Sequence, residues 1–144
     1  MNGALALKNE ETGAFTTVDL LRLDLFTGAG EVCKLGAAPT FVRRDGVVSR
    51  ITGAALPAGL TDGQGVGPDV TGLELKAGDV VLLLSDGVAD AEEDGWVRDL
   101  LAAFEGDSPR DLARAVMEES EKRVGPGDDR TAVAVVLRER KAEG

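Results

Sequence analysis

The chain contains no histidine at all, and Cys33 is its one cysteine. The first absence excludes Ser-His-Asp and Cys-His nucleophilic catalysis, zinc sites of the usual imidazole type, and phosphohistidine chemistry within this chain. The second excludes an internal disulfide and any thiolate cluster; Cys33, inside an apolar stretch, reads as a buried small hydrophobe. Aromatic residues make up only 3% of the chain, so a core must be built from Val, Leu and Ala. Cations are scarce too: 16 Lys and Arg against 26 Asp and Glu leave a net charge of −10. With no excess of positive charge to neutralise phosphates, nucleic acid is not expected as a partner. No apolar run approaches the ~20 residues needed to span a bilayer, so no membrane segment is expected in this chain. The start, Met1 to Leu5, lacks the basic opening of a signal peptide. A soluble, cytoplasmic protein is expected.

What is present is enough for one domain or a large piece of one: 144 residues, of which 43% are hydrophobic. Residues 1–8 read as the tail of a helix. From Phe15 to Phe26, Leu21, Leu23 and Leu25 alternate with Arg22 and Asp24, which is strand periodicity. Thr27 to Gly30 turns the chain into a second strand, Glu31 to Gly36. The segments Thr40–Arg44 and Val47–Ile51 flank Asp45-Gly46, a pair suited to a two-residue hairpin turn, and a meander of antiparallel strands is expected. Residues 57–69, with Pro57, Pro68 and several glycines, read as a loop. Val70–Leu75 is a further strand and Lys76–Asp79 a turn. Val80–Leu84 is a continuous apolar run too short for a helix, and fits a strand buried on both faces. Trp96, Val97, Leu100, Leu101 and Phe104 form one helical stripe. Ser108-Pro109 starts a second helix, which Gly125-Pro126-Gly127 ends. Thr131–Leu137 reads as a final buried strand. The order is α+β rather than a βαβ array.

Chemistry in an acidic, histidine-free chain falls to carboxylates, the hard oxygen ligands that Mg²⁺, Mn²⁺ and Ca²⁺ prefer. Asp86 stands at the exit of the Val80–Ser85 run, aimed by a rigid strand, with Gly87 permitting the turn beside it. The alternative is an ordinary strand-ending turn. Asp128-Asp129 precedes the last strand, and two adjacent carboxylates repel unless a cation or a basic group relieves them; the alternative is a solvated turn. If the two strands are neighbours, the acids converge into an all-oxygen site. Asp90, Glu92, Asp94 and Gly95 have the spacing that opens a calcium loop, but Leu101 stands where its closing bidentate Glu belongs, so they read as a solvated helix start. Asp62-Gly63 follows no buried strand and reads as a flexible loop.

Ser85-Asp86-Gly87-Val88-Ala89-Asp90 behind an apolar strand, with Asp128-Asp129-Arg130-Thr131-Ala132-Val133, resembles the last two acidic motifs of the metal-dependent, type 2C-like protein phosphatases. Lys34 to Arg44, Leu56 to Leu60 and Thr17 to Leu20 resemble the stage II sporulation protein E branch of that superfamily. The similarity runs in order from about residue 2 to residue 138, which marks 1–138 as the C-terminal portion of a phosphatase domain and 139–144 as a tail. The resemblance implies a layered antiparallel β-sandwich flanked by helices, with two Mn²⁺ or Mg²⁺ ions activating a water against phosphoserine or phosphothreonine. By position it implies Asp86 and Asp128 as ligands of one metal ion, with Asp129 a weaker, water-linked candidate and Gly87 a structural turn. No side chain is implied as a nucleophile. The implied partner is a phosphorylated anti-anti-sigma-like protein.

Family domains begin well upstream, with an Asp-Gly motif whose carboxylate bridges both metals, and nothing in this chain matches it. The fold is therefore expected to be incomplete at its N-terminus, the parent protein being free to carry a membrane or sensor region upstream. The chain is expected to hold at most one divalent ion and to be inactive or nearly so, and the exposed strand faces of a half-sandwich favour self-association. Two other readings compete: a non-catalytic protein-binding module derived from the phosphatase fold, and an acidic α+β domain whose motifs are turns.

Overall fold

The computed structural model describes residues 14–60 and 67–142. The expected N-terminal helix tail and the Asp62-Gly63 loop lie outside those residues. The described chain divides into two units.

The first unit is built on an antiparallel three-stranded sheet, β1 (Val18–Leu23), β2 (Ala29–Leu35) and β5 (Asp69–Glu74), in the order β1-β2-β5. The β1–β2 turn is closed by Asp24, whose carboxylate accepts from the Phe26 and Thr27 amides at 2.8 and 3.2 Å, so β2 starts earlier than the Thr27–Gly30 turn suggested. Period-two alternation then decides which β2 side chains are buried, and Val32 and Lys34 take those positions, each 1% exposed. Cys33 between them is only half-buried, a correction to its reading as a core residue. Lys34 is ion-paired at 2.8 Å with Asp19, which stands directly opposite on β1. At the end of β2, Gly36 has φ +59°, and a β-carbon on it would lie 2.4 Å from the Pro57 ring. Its amide bonds to the Ala55 carbonyl at 2.8 Å. The Lys34–Gly36 and Leu56–Leu60 segments thus meet in space because a glycine lets a proline pack against the backbone.

The second unit carries a four-stranded antiparallel sheet in the order β4-β3-β6-β7: β3 (Thr40–Arg44), β4 (Val47–Ile51), β6 (Val80–Leu84) and β7 (Ala132–Val136). Asp45 and Gly46 both adopt positive φ, 50° and 79°, as the hairpin turn between β3 and β4 requires. The strands do not run as one meander, since β2 pairs with β5 and β3 with β6. On β6, Val80, Leu82 and Leu84 join Phe41, Val97, Leu101, Leu112 and Val116 in one apolar cluster. Val81 is fully buried on the opposite face and Leu83 partly so. Burial of all these side chains supplies ~1.5–3 kcal/mol each. Two helices provide the other half of that cluster: α1 (Gly95–Ala103) and α2 (Pro109–Val124). α2 begins where Ser108 accepts from the Asp111 amide at 3.3 Å ahead of Pro109. α1 ends without a glycine; instead Arg43 from β3 donates to the Leu101 and Phe104 carbonyls at 2.8 and 2.5 Å. β7 is an edge strand of this sheet and is half-exposed, with Val133 at 49%, not the buried strand expected from its composition.

The turn before β6 is fixed by Asp79, which is 2% exposed. It accepts from Arg44 Nη2 at 2.5 Å and from the Lys76 amide at 2.8 Å. Burial pushes the Asp79 carboxyl up, but the Arg44 and Lys76 hydrogen bonds outweigh it and hold the group below the ordinary 3.8. The α+β class is as the sequence implies: antiparallel sheets with two helices.

Candidate metal centre

The antiparallel pairing of β6 with β7 sets Leu84 opposite Ala132. The residues leaving β6 and those entering β7 therefore share one end of the ladder. The Ser85 amide donates to the Thr131 carbonyl at 2.9 Å, and Ser85 Oγ accepts from the Thr131 amide at 2.8 Å. Arg130 Nε donates to the Gly87 carbonyl at 3.1 Å, tying the two turns a second time. From the helix side, Ser120 Oγ on α2 donates to the Val88 carbonyl at 2.6 Å.

Gly87 sits in the Ser85–Val88 turn, where the Val88 amide bonds to the Ser85 carbonyl at 3.0 Å. It does not use a positive φ. What demands glycine is a close approach: a β-carbon there would lie 2.2 Å from the Asp129 carbonyl oxygen and 3.4 Å from Asp128 Cβ. The missing side chain lets the 128–129 backbone lie directly against the 86–88 turn.

Asp86 and Asp128 line one open cavity of about 880 Å³, together with Gly87, Asp90, Glu93, Trp96 and Arg123. Both carboxylates are exposed to solvent. Asp128 Oδ1 also accepts from the Asp129 amide at 2.8 Å, a local bond that orients its carboxylate. Asp129 does not line the cavity; its contribution to the junction is its backbone carbonyl against Gly87.

One cavity wall is the 90–94 loop. Asp90 Oδ1 accepts from the Glu92 amide at 3.0 Å, an Asx-type turn. Asp94 is not a solvated helix-start acid, because Arg50 of β4 pairs with it at 2.7 Å and also donates to the Ala91 carbonyl at 2.7 Å. The cavity is also lined by Arg123, stacked over Trp96 at 5.6 Å and bonded through Nε to Glu119 at 2.7 Å. That bond holds the Glu119 carboxyl below its ordinary value. Sequence reading missed both arginines. Arg50 carries no local signal, and Trp96 was visible only as a member of a helical stripe.

The oxygen-only donors suit a hard divalent cation, whose remaining ligand positions waters fill. Among the described residues no group of three or more His, Cys, Asp or Glu is arranged to hold a metal ion. The carboxylates of Asp86 and Asp128, which line one cavity, therefore amount to a partial donor set at most.

Comparison with known proteins adds an independent line. The family model of stage II sporulation protein E matches residues 1–138. Stage II sporulation protein E of Bacillus subtilis (strain 168) is 28% identical over 142 residues, covering 94% of this chain and 17% of that protein. The Mn-presoaked structure of that protein's phosphatase domain superposes with a TM-score of 0.71 at 26% identity, over 97% of this chain and 66% of that domain. The catalytic domain of the serine/threonine phosphatase PstP, solved with two manganese ions, shares the fold, with a TM-score of 0.71 at 24% identity. The chain thus spans about a sixth of the curated relative and under two thirds of the solved domain. Among the described residues, no helix is long and apolar enough to cross a membrane.

Proposed function

From the premise that this chain belongs to the stage II sporulation protein E family, we propose that it serves metal-dependent hydrolysis of phosphoserine or phosphothreonine on a small regulatory phosphoprotein. The substrate class is an anti-anti-sigma-like protein, the setting is cytoplasmic, and this chain supplies only part of the metal site. The observation that carries the proposal is the β6–β7 junction, which brings two strand-end carboxylates to one cavity. Asp86 and Asp128 hold the ion, Mn²⁺ or Mg²⁺, and Gly87 keeps their two turns in contact. Asp129, off the cavity, acts through water. When bound, a divalent cation supplies a water of lowered pKa and neutralises phosphoryl oxygens. No side chain has to act as nucleophile, in keeping with a chain that has no histidine. Two carboxylates cannot hold two ions and a water between them, so the chain alone binds at most one.

The donor count also favours a second reading, a protein-binding module that has lost catalysis. Calorimetric titration with Mn²⁺ separates the two. The proposal expects heat from the wild-type chain that Asp86→Asn and Asp128→Asn each abolish or strongly reduce. Identical heats from all three proteins would leave the binding module standing. Phosphopeptide turnover by the pure chain at the rate of an intact phosphatase domain would overturn the partial-site part.

A further inference from the structure

Four of the carboxylates on the cavity wall, those of Asp86, Asp90, Glu93 and Asp128, belong to a chain that is already strongly negative. A phosphoryl group approaching this wall meets the like charge of those four carboxylates. Arg123 is the single cation lining the cavity among the described residues. It also lines the adjoining groove formed by Gly95, Trp96, Asp99, Leu100 and Glu119. It therefore stands where the two depressions meet.

Its geometry is that of a prepared anion fork. Nε is taken up by Glu119 at 2.7 Å, and the guanidinium carbon lies 5.6 Å from the Trp96 ring centroid. These contacts fix the plane of the group from one edge and one face. Among the described residues the terminal nitrogens make no hydrogen bond, so the outer edge of the fork keeps the paired N–H donors that match phosphate oxygens. Prior immobilisation lowers the ordering cost that a free surface arginine meets on binding. The neighbouring Lys122 is the more exposed of the two, at 72% against 52% for Arg123, touches Glu119 only at 3.6 Å and does not line the cavity.

We infer that Arg123, held by Glu119 and Trp96, is the substrate-anion residue of this site, gripping a phosphoryl oxygen of the phosphoprotein at the cavity mouth. The inference rests on the phosphatase reading for the identity of the anion, not for its position. No bond is made or broken by this residue. It orients the phosphoryl group and offsets the field of the surrounding carboxylates.

Trp96 is the only tryptophan of the chain, so its fluorescence reports from beneath the fork. Inorganic phosphate and, separately, a phosphoserine peptide are titrated into the full chain with Mg²⁺ present, and calorimetry repeats each titration. Wild type is expected to show a saturable change that weakens as salt rises. Arg123→Gln is expected to weaken both ligands about tenfold or more, Arg123→Lys to recover only part of the loss, and Lys122→Gln to behave as wild type. Mg²⁺ affinity, measured without phosphate, is expected to be the same in Arg123→Gln as in wild type. Unchanged phosphate binding in a folded Arg123→Gln chain overturns the inference, as does a wild-type chain that shows no phosphate response. Either result leaves metal binding by Asp86 and Asp128 intact. Conversely, Arg123-dependent phosphate binding in a chain that takes up no divalent ion supports the fork and defeats the metal-dependent reading.

Discussion

Replacing Gly87 by alanine probes the contact on which the two strand ends depend. The added carbon would lie 2.2 Å from the Asp129 carbonyl oxygen and 3.2 Å from its carbonyl carbon. Ordinary contact begins at roughly 3.5 Å, so the turns must part by about 1 Å. The atoms met are backbone, and no rotamer change relieves them. Three hydrogen bonds cross the same junction, at 2.9, 2.8 and 3.1 Å. Weakening them costs about 1 kcal/mol each, and the overpacking itself adds ~1–3 kcal/mol. Partial relaxation of the exposed turn leaves an expected loss of about 3 kcal/mol, a fall of roughly 10 °C in Tm for a domain this size. Circular dichroism melts and Mn²⁺ calorimetry read the two consequences together, and the expectation is a lower Tm with much reduced metal heat. Gly72→Ala is the comparator, because no atom lies within 4 Å of its added carbon. It should change stability by no more than ~1 kcal/mol and leave the heat alone. A Gly87→Ala chain that melts with Gly72→Ala and binds Mn²⁺ as wild type does would refute the close-approach argument.

Asp79→Asn is expected to cost ~1–3 kcal/mol at neutral pH, discounted because Arg44 is 43% exposed. The folded-state pKa of Asp79 lies below its unfolded value. Its contribution is therefore complete above about pH 4 and fades as pH falls through the lower folded value. Urea unfolding of both proteins at pH 7 and pH 3 checks this, and a gap of the same size at both pH values would refute it. Lys34→Met takes the buried ammonium from the partly buried Asp19 opposite it on β1 and is expected to cost ~1–3 kcal/mol. A urea midpoint equal to that of wild type would show that the Lys34–Asp19 pair holds nothing together.

What could be read ahead of the structure was what local chemistry dictates. Asp45-Gly46 specifies its own φ values, Ser108-Pro109 caps and starts α2, and the length and composition of Val80–Leu84 leave room only for a strand. The division into two sheets was not readable, because the choice of β5 for β2 and of β6 for β3 is made by long-range pairing. Cys33 and Lys34 show the same limit: alternation tells which residues share a face, and the sheet's surroundings decide which face is buried. β7 has the composition of a buried strand and an edge position. For the site, the strand-end acids Asp86 and Asp128 were visible as candidates, but their lining of one cavity depended on β6 and β7 being neighbours. Arg123 and Arg50 were invisible, since each acts across 27 or more positions of sequence, on Trp96 in one case and on Asp94 in the other.

The Arg50 strap has a bearing on any attempt to move this cavity elsewhere. The segment from Ser85 to Gly95 looks self-sufficient, with its own glycine and its own Asx turn. Its outline nevertheless depends on a guanidinium projecting from another strand, clasping Asp94 and the Ala91 carbonyl at once. Transplanted alone into a foreign scaffold, the eleven-residue loop would keep its carboxylates and lose its shape. A recipient would need an arginine at the matching place on the second strand over, and lysine, lacking the fork, would not replace it.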